Sequence, residues 1–130
     1  MSAENDSSIA ADIRAEPLAP SVPPKRLDEL TTDTVITVVA SNFDTAPENG
    51  GSRILALDVW WDQGVSNWVP ISTEGPTVLS TGSPSQAEVQ HTVSLLSPSA
   101  SYRFMYRAVN LFGYGPFSAE SLIIAATKPD

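Results

Sequence analysis

The chain has 130 residues, 42% of them hydrophobic, no cysteine, and 15 acidic against 7 basic side chains for a net charge of -8. That length fits one domain with some chain to spare, and the apolar fraction suffices for its core. The acidic balance excludes the clustered Lys and Arg that nucleic acid or an anionic membrane surface would need. Lack of cysteine excludes disulfides, thiolate metal sites and thiol catalysis. No apolar run approaches the roughly 18 residues of a membrane span, and the N-terminus has neither the basic start nor the apolar stretch of a signal peptide.

Residues 1–19 (MSAENDSSIAADIRAEPLA) are small, polar and acidic, with Glu4, Asp6, Asp12 and Glu16 against Arg14. Such a stretch buries too little apolar surface to offset its ordering entropy and reads as a disordered acidic tail or linker. Pro20, Pro23 and Pro24 lead into Leu27 and Leu30, which suits a proline-protected edge strand. Residues 34–40 (TVITVVA) are rich in β-branched side chains and predict a buried strand. Pro47, Asn49, Gly50 and Gly51 mark residues 41–52 as a loop. Next, Leu57, Val59 and Trp61 alternate with Asp58, Trp60 and Asp62, the pattern of a half-buried strand. A short strand follows at Trp68 and Val69. Ser, Thr, Gly and Pro make residues 72–87 a long loop or irregular edge around Val78 and Leu79. Val89, His91, Val93 and Leu95 alternate again, and residues 122–127 (LIIAAT) form a closing strand with either of two inward-facing pairs.

Residues 96–118 (LSPSASYRFMYRAVNLFGYGPFS) organise the rest. Tyr102, Phe104, Tyr106 and Ala108 line one face of a strand, and Arg103, Met105, Arg107 and Val109 line the other. Leu96 and Pro98 precede Tyr102 across a tight corner, in which a buried tyrosine bonds its hydroxyl back to the upstream backbone. Asn110, Gly113, Gly115, Pro116 and Ser118 make a turn-forming run into the last strand. Seven short strands with turns between them and no helical periodicity predict an all-β, antiparallel two-sheet sandwich.

These residues resemble the fibronectin type III domain over residues 20–128, with 129–130 looking like the start of an inter-domain junction. The resemblance is carried by Pro23 and Pro24, residues 48–54 (ENGGSRI), the corner from Leu96 through Pro98 to Tyr102, and residues 102–110 running into 113–118. It implies a seven-stranded Greek-key β-sandwich with strands A, B and E in one sheet and C, C′, F and G in the other. The family's core tryptophan on strand B and tyrosine on strand C are replaced by Ala40 and Leu57, so Trp61, Phe104 and Tyr106 are expected to fill that volume. The Arg-Gly-Asp adhesive tripeptide of some members is absent from the F to G loop, residues 111–117 (LFGYGPF). The resemblance favours an extracellular or cell-surface location, with a cytoplasmic one left open, and a chain excerpted from a longer multidomain protein.

Catalytic constellations are not expected. The single histidine, His91, lies in an alternating strand and reads as structural and partly buried. Asp58 and Asp62 would sit about 13 Å apart at roughly 3.3 Å per residue on one strand face, beyond the roughly 5 to 9.5 Å of a glycosidase pair, and read as solvated charges. No cofactor, metal set or phosphate-binding loop is expected. Two surfaces remain. Leu111, Phe112, Tyr114 and Phe117 on the F to G loop, with Phe43 nearby, form the candidate partner-binding site, because aromatics at a loop tip are costly to leave bare. Trp60, Arg103 and Arg107 on the outer sheet face form a second candidate surface. The chain therefore reads as a non-catalytic protein-interaction or spacer module, monomeric in isolation, that contacts a protein partner or neighbouring domains. An accessory domain of a secreted hydrolase or receptor-type signalling enzyme is the alternative, and a carbohydrate-binding sandwich using Trp60 or Trp68 as platform is the third.

Overall fold

The computed structural model describes residues 15–43, 47–80 and 86–127. In chain order its strands are β1 (Lys25–Arg26), β2 (Ile36–Ser41), β3 (Ala56–Trp61), β4 (Val69–Pro70), β5 (Thr77–Val78), β6 (Glu88–Val93), β7 (Ser101–Asn110), β8 (Gly113–Tyr114) and β9 (Ser121–Ile124). One antiparallel sheet runs β1-β2-β6; the other centres on β7, with β3 on one side and β8 and β9 on the other. Both β4 and β5 pair with the far edge of β3. This is the expected division into A, B, E and C, C′, F, G, except that two of the seven strands are split. The last strand breaks around Pro116, which has no N–H to give the ladder; there Gly115 N donates to Ala108 O and Ser118 N to Tyr106 O. On the opposite edge the loop between β4 and β5 interrupts the pairing with β3.

Register explains why alternation in the sequence becomes a core. Leu57 lies opposite Ala108, Val59 opposite Tyr106 and Trp61 opposite Phe104, so the apolar sets of β3 and β7 share one face. They meet Ile36, Val38 and Ala40 of β2 and Val89 and Val93 of β6 across the sandwich. The closing strand turns Ile123 and Ala125 inward and leaves Leu122 and Ile124 exposed, which settles its two expected pairings.

Filling the space left by Ala40 falls to β7. Tyr106 is fully buried and its hydroxyl crosses to donate to Ser41 O at 2.8 Å, one residue from Ala40. Trp61 stacks on Phe104 (6.2 Å between ring centroids) and tilts against Tyr102 (6.0 Å). At the corner, Ser97 N–H donates to the Tyr102 hydroxyl at 2.8 Å, Leu96 is buried and Pro98 is exposed.

The chain ahead of β1 also packs. Ala15 N donates to Gly50 O and Leu18 N to Glu48 O, each at 2.9 Å, while Asn110 Nδ2 donates to Ala15 O at 2.6 Å. Pro17 is fully buried between them. Two glycines make the recess: a Cβ on Gly50 would lie 2.7 Å from Glu16 O, and one on Gly115 would lie 2.9 Å from the Pro17 carbonyl carbon. Residues 15–18 thus lie within the span that composition assigns to the acidic tail, yet they are held by partners at positions 48–50, 110 and 115. Residues 1–14 and 129–130 fall outside the described residues.

Candidate functional site

Arg107 lies at the centre of the outer sheet face because β3 and β7 pair it with Asp58. Its Nε donates to Asp58 Oδ2 at 2.8 Å, and Trp60 Nε1 donates to the same oxygen at 2.9 Å. The guanidinium lies 4.2 Å from the Tyr114 ring centroid, 4.6 Å from Phe117 and 5.8 Å from Trp60, and Phe117 meets Trp60 edge-on at 5.7 Å. A cation against several ring faces is held by their quadrupoles, more strongly where water is excluded. The sheet-face cluster and the loop cluster of the sequence reading are therefore one structure joined at Arg107.

Arg103 is not part of it. That side chain sits 3.7 Å from Glu120 in a half-exposed pair. Nor are the two aspartates solvated charges: Asp58 and Asp62 are each only 4% exposed. Asp58 is covered by the rings and Arg107 that it anchors. Asp62 Oδ1 accepts from Gly64 N and Arg103 N at 2.9 Å, and its carbonyl accepts from Val65 and Asn67, so it staples the turn after β3 to β7. Instead of solvated strand-face charges, Asp58 and Asp62 are two buried structural anchors.

The five loop candidates fall into three groups. Leu111 (77% exposed) and Phe112 (48%) form the apex of the β7–β8 turn. Tyr114 is also half-exposed (49%), with one ring face on Arg107. Phe117 is half-buried against Trp60 and Arg107, and Phe43 packs onto the hydrophobic core. The apex is firmly based. Val109 pairs with Tyr114 and Asn110 with Gly113. Asn110 Oδ1 accepts from Phe112 N at 2.8 Å while its Nδ2 reaches Asn49 O and Ala15 O.

Sequence reasoning missed the contribution of the N-terminal segment. Glu16 lies over the turn, its Cγ 3.3 Å from where a Gly113 Cβ would stand, and Leu18, two residues on, is exposed. The readable signal was the glycine at positions 50, 113 and 115, each marking a close approach of another backbone or side chain.

His91 faces inward at the sheet edge, where its Nε2 and Thr77 Oγ1 are 2.9 Å apart and bridge β6 to β5. Burial lowers its pKa below the ordinary value. Burial likewise raises that of Tyr106. A hydroxyl paired with an imidazole is the start of a nucleophile–base arrangement, but here it ties two sheets together, and among the described residues no carboxylate orients the ring. Among the same residues no three His, Asp or Glu side chains converge as metal ligands would. Of the two sugar-platform candidates, the Trp60 ring is already engaged by Phe117 and Arg107.

No family model matches the sequence, and neither does any curated protein. Two packed antiparallel sheets sorted as A-B-E and C-C′-F-G, a tyrosine corner and a turn-rich F to G run define the fold as that of the fibronectin type III domain. The chain is similar to a crystal structure of consecutive titin domains (20% identity, TM-score 0.58), covering 85% of this chain and 32% of that one. It is similar to titin kinase with its flanking domains (20%, TM-score 0.57), covering 85% and 17%. It also resembles the sixth fibronectin type III domain of human fibronectin type III domain containing protein 3 (16%, TM-score 0.53), covering 89% and 92%. The chain thus spans a third or less of the two titin structures and nearly all of the human domain.

Proposed function

We propose that the chain is a non-catalytic interaction and spacer module of a multidomain protein and that it docks through the apex of the β7–β8 turn. The observation that carries this is the contrast between apex and base. Leu111 and Phe112 present apolar side chains to solvent, while the backbone beneath them is fixed by ladder pairing and by three hydrogen bonds of the Asn110 side chain. A rigid platform loses little conformational freedom on binding, and exposed aromatic side chains are the anchors in which interface energy concentrates. Trp60, Arg107 and Phe117 act as the buttress behind that platform. The titin structures, where the same fold occurs within longer chains, support the modular reading.

The test is alanine substitution at Leu111 and Phe112. Contact with a partner or adjoining domain should weaken at least tenfold, with the melting temperature of the isolated domain unchanged. Unfolding of the isolated domain would make these side chains core cover and leave the spacer role alone. A second reading, an accessory domain whose enzyme lies elsewhere in the parent chain, has the kinase-containing titin structure in its favour. Deleting the domain from the parent protein and finding a changed turnover, with stability preserved, would favour that reading.

A further inference from the structure

We propose that the β7–β8 apex and the N-terminal segment form one acid-rimmed apolar surface, and that its occupant is a partner protein segment carrying Lys or Arg beside apolar side chains. The inference rests on the docking reading above and adds the chemistry of the partner.

Three exposed apolar residues of β7–β8, Leu111, Phe112 and Tyr114, stand at the end of the sandwich to which Leu18 is tied through Glu48 O. The carboxylate rim is built by the same hydrogen bonds. Glu16 lies over Gly113, between Phe112 and Tyr114 in the turn, its Oε2 3.9 Å from where a Gly113 Cβ would stand. Glu48 is exposed on the adjoining turn. Among the described residues Arg107, the cation on the Tyr114 ring, is committed to Asp58 and to the rings. An apolar patch with an acidic edge selects a partner whose apolar anchors are flanked by positive charge, since like charges placed opposite each other cost affinity. That condition disfavours the other occupants. A second copy brings the same acidic rim and a net charge of -8. Residues 1–14 bring Glu4, Asp6 and Asp12 against Arg14.

The full chain, isotope-labelled for amide NMR, is titrated with a short peptide alternating Lys and Leu and, separately, with one alternating Glu and Leu. The Lys/Leu peptide should shift the amides of Glu16, Leu18 and residues 111–114 and bind more weakly as salt rises. Glu16→Gln and Glu48→Gln should each cost about 2- to 5-fold in its affinity, and Phe112→Ala should remove the localised shifts. Equal binding of the Glu/Leu peptide, or full affinity in the double Gln variant, overturns the charge selection while leaving apolar docking intact. Failure of both peptides to shift the apex sinks the docking reading as well. Self-association in sedimentation that Phe112→Ala abolishes makes a second copy the occupant. Shifts at the apex on removing residues 1–14, with no peptide present, assign the surface to this chain's own segment.

Discussion

Gly115→Ala is the sharpest probe of how the N-terminal segment is held. Its φ lies outside the left-handed region, so alanine suits the backbone itself. The obstacle is Pro17, which supplies the three nearest atoms to a Cβ at that position, with the carbonyl carbon at 2.9 Å. Backbone atoms on both sides leave no flexible side chain to give way, so the added methyl should expel residues 15–18. Three hydrogen bonds at about 1 kcal/mol each and one buried ring at about 2 kcal/mol favour docking. Against them stands about 1 kcal/mol of ordering for each of the three non-proline residues. The balance, about 2 kcal/mol, is the expected loss in the full chain. In a chain starting at residue 19 the obstacle is gone, and the same substitution should stabilise by about 0.4 to 1 kcal/mol through the unfolded state. Urea denaturation of the four proteins tests this by a change of sign. An equal cost in both backgrounds would show that the methyl meets something other than Pro17 and does not expel the segment.

Three further outcomes are expected. Tyr102→Phe should cost about 1 to 3 kcal/mol in chemical denaturation by stranding Ser97 N–H, whereas Tyr114→Phe, which keeps its ring on Arg107, should be nearly neutral. Arg107→Ala should cost about 3 kcal/mol or more because buried Asp58 loses its partner, while Arg103→Ala, in an exposed pair, should stay within about 0.5 kcal/mol. Because burial holds the folded-state pKa of His91 below its ordinary 6.5, the unfolded chain takes up the proton first. Its contribution is complete above that value and is lost as pH falls toward the folded pKa; His91→Gln should flatten this part of the stability profile, and an unchanged slope between pH 7.5 and 5.5 would refute the assignment.

What the sequence disclosed follows from what a period of two can carry. Alternation in β3 and β7 identified Leu57, Val59, Trp61, Phe104, Tyr106 and Ala108 as one face, and the observed register puts them there together. The same rule misassigned Asp58 and Asp62, because it separates two faces without saying whether the outer one is covered. At Asp58 it is covered by Trp60, Phe117 and Arg107, and the cue was pairwise: an acid and a base opposite one another on adjacent strands, with an indole two residues along; Asp62 is instead held by the backbone of Gly64 and Arg103. The docking of residues 15–18 was hidden for a different reason. Composition measures what a segment can bury by its own side chains, and this one is held chiefly by backbone hydrogen bonds into a recess made where side chains are missing. Such a recess is recorded at Gly50 and Gly115, about 30 and 100 residues from the segment that fills it, so no local window joins cause to effect. The loop aromatics show the same limit in reverse. Phe112 and Phe117 lie five positions apart with the same side chain, yet the ladder turns one outward and folds the other onto Trp60 and Arg107. Phe117 reaches this cluster from beyond Pro116, where the ladder breaks and the chain turns back onto the outer face of β3 and β7, while Tyr114 reaches the same guanidinium from within the ladder.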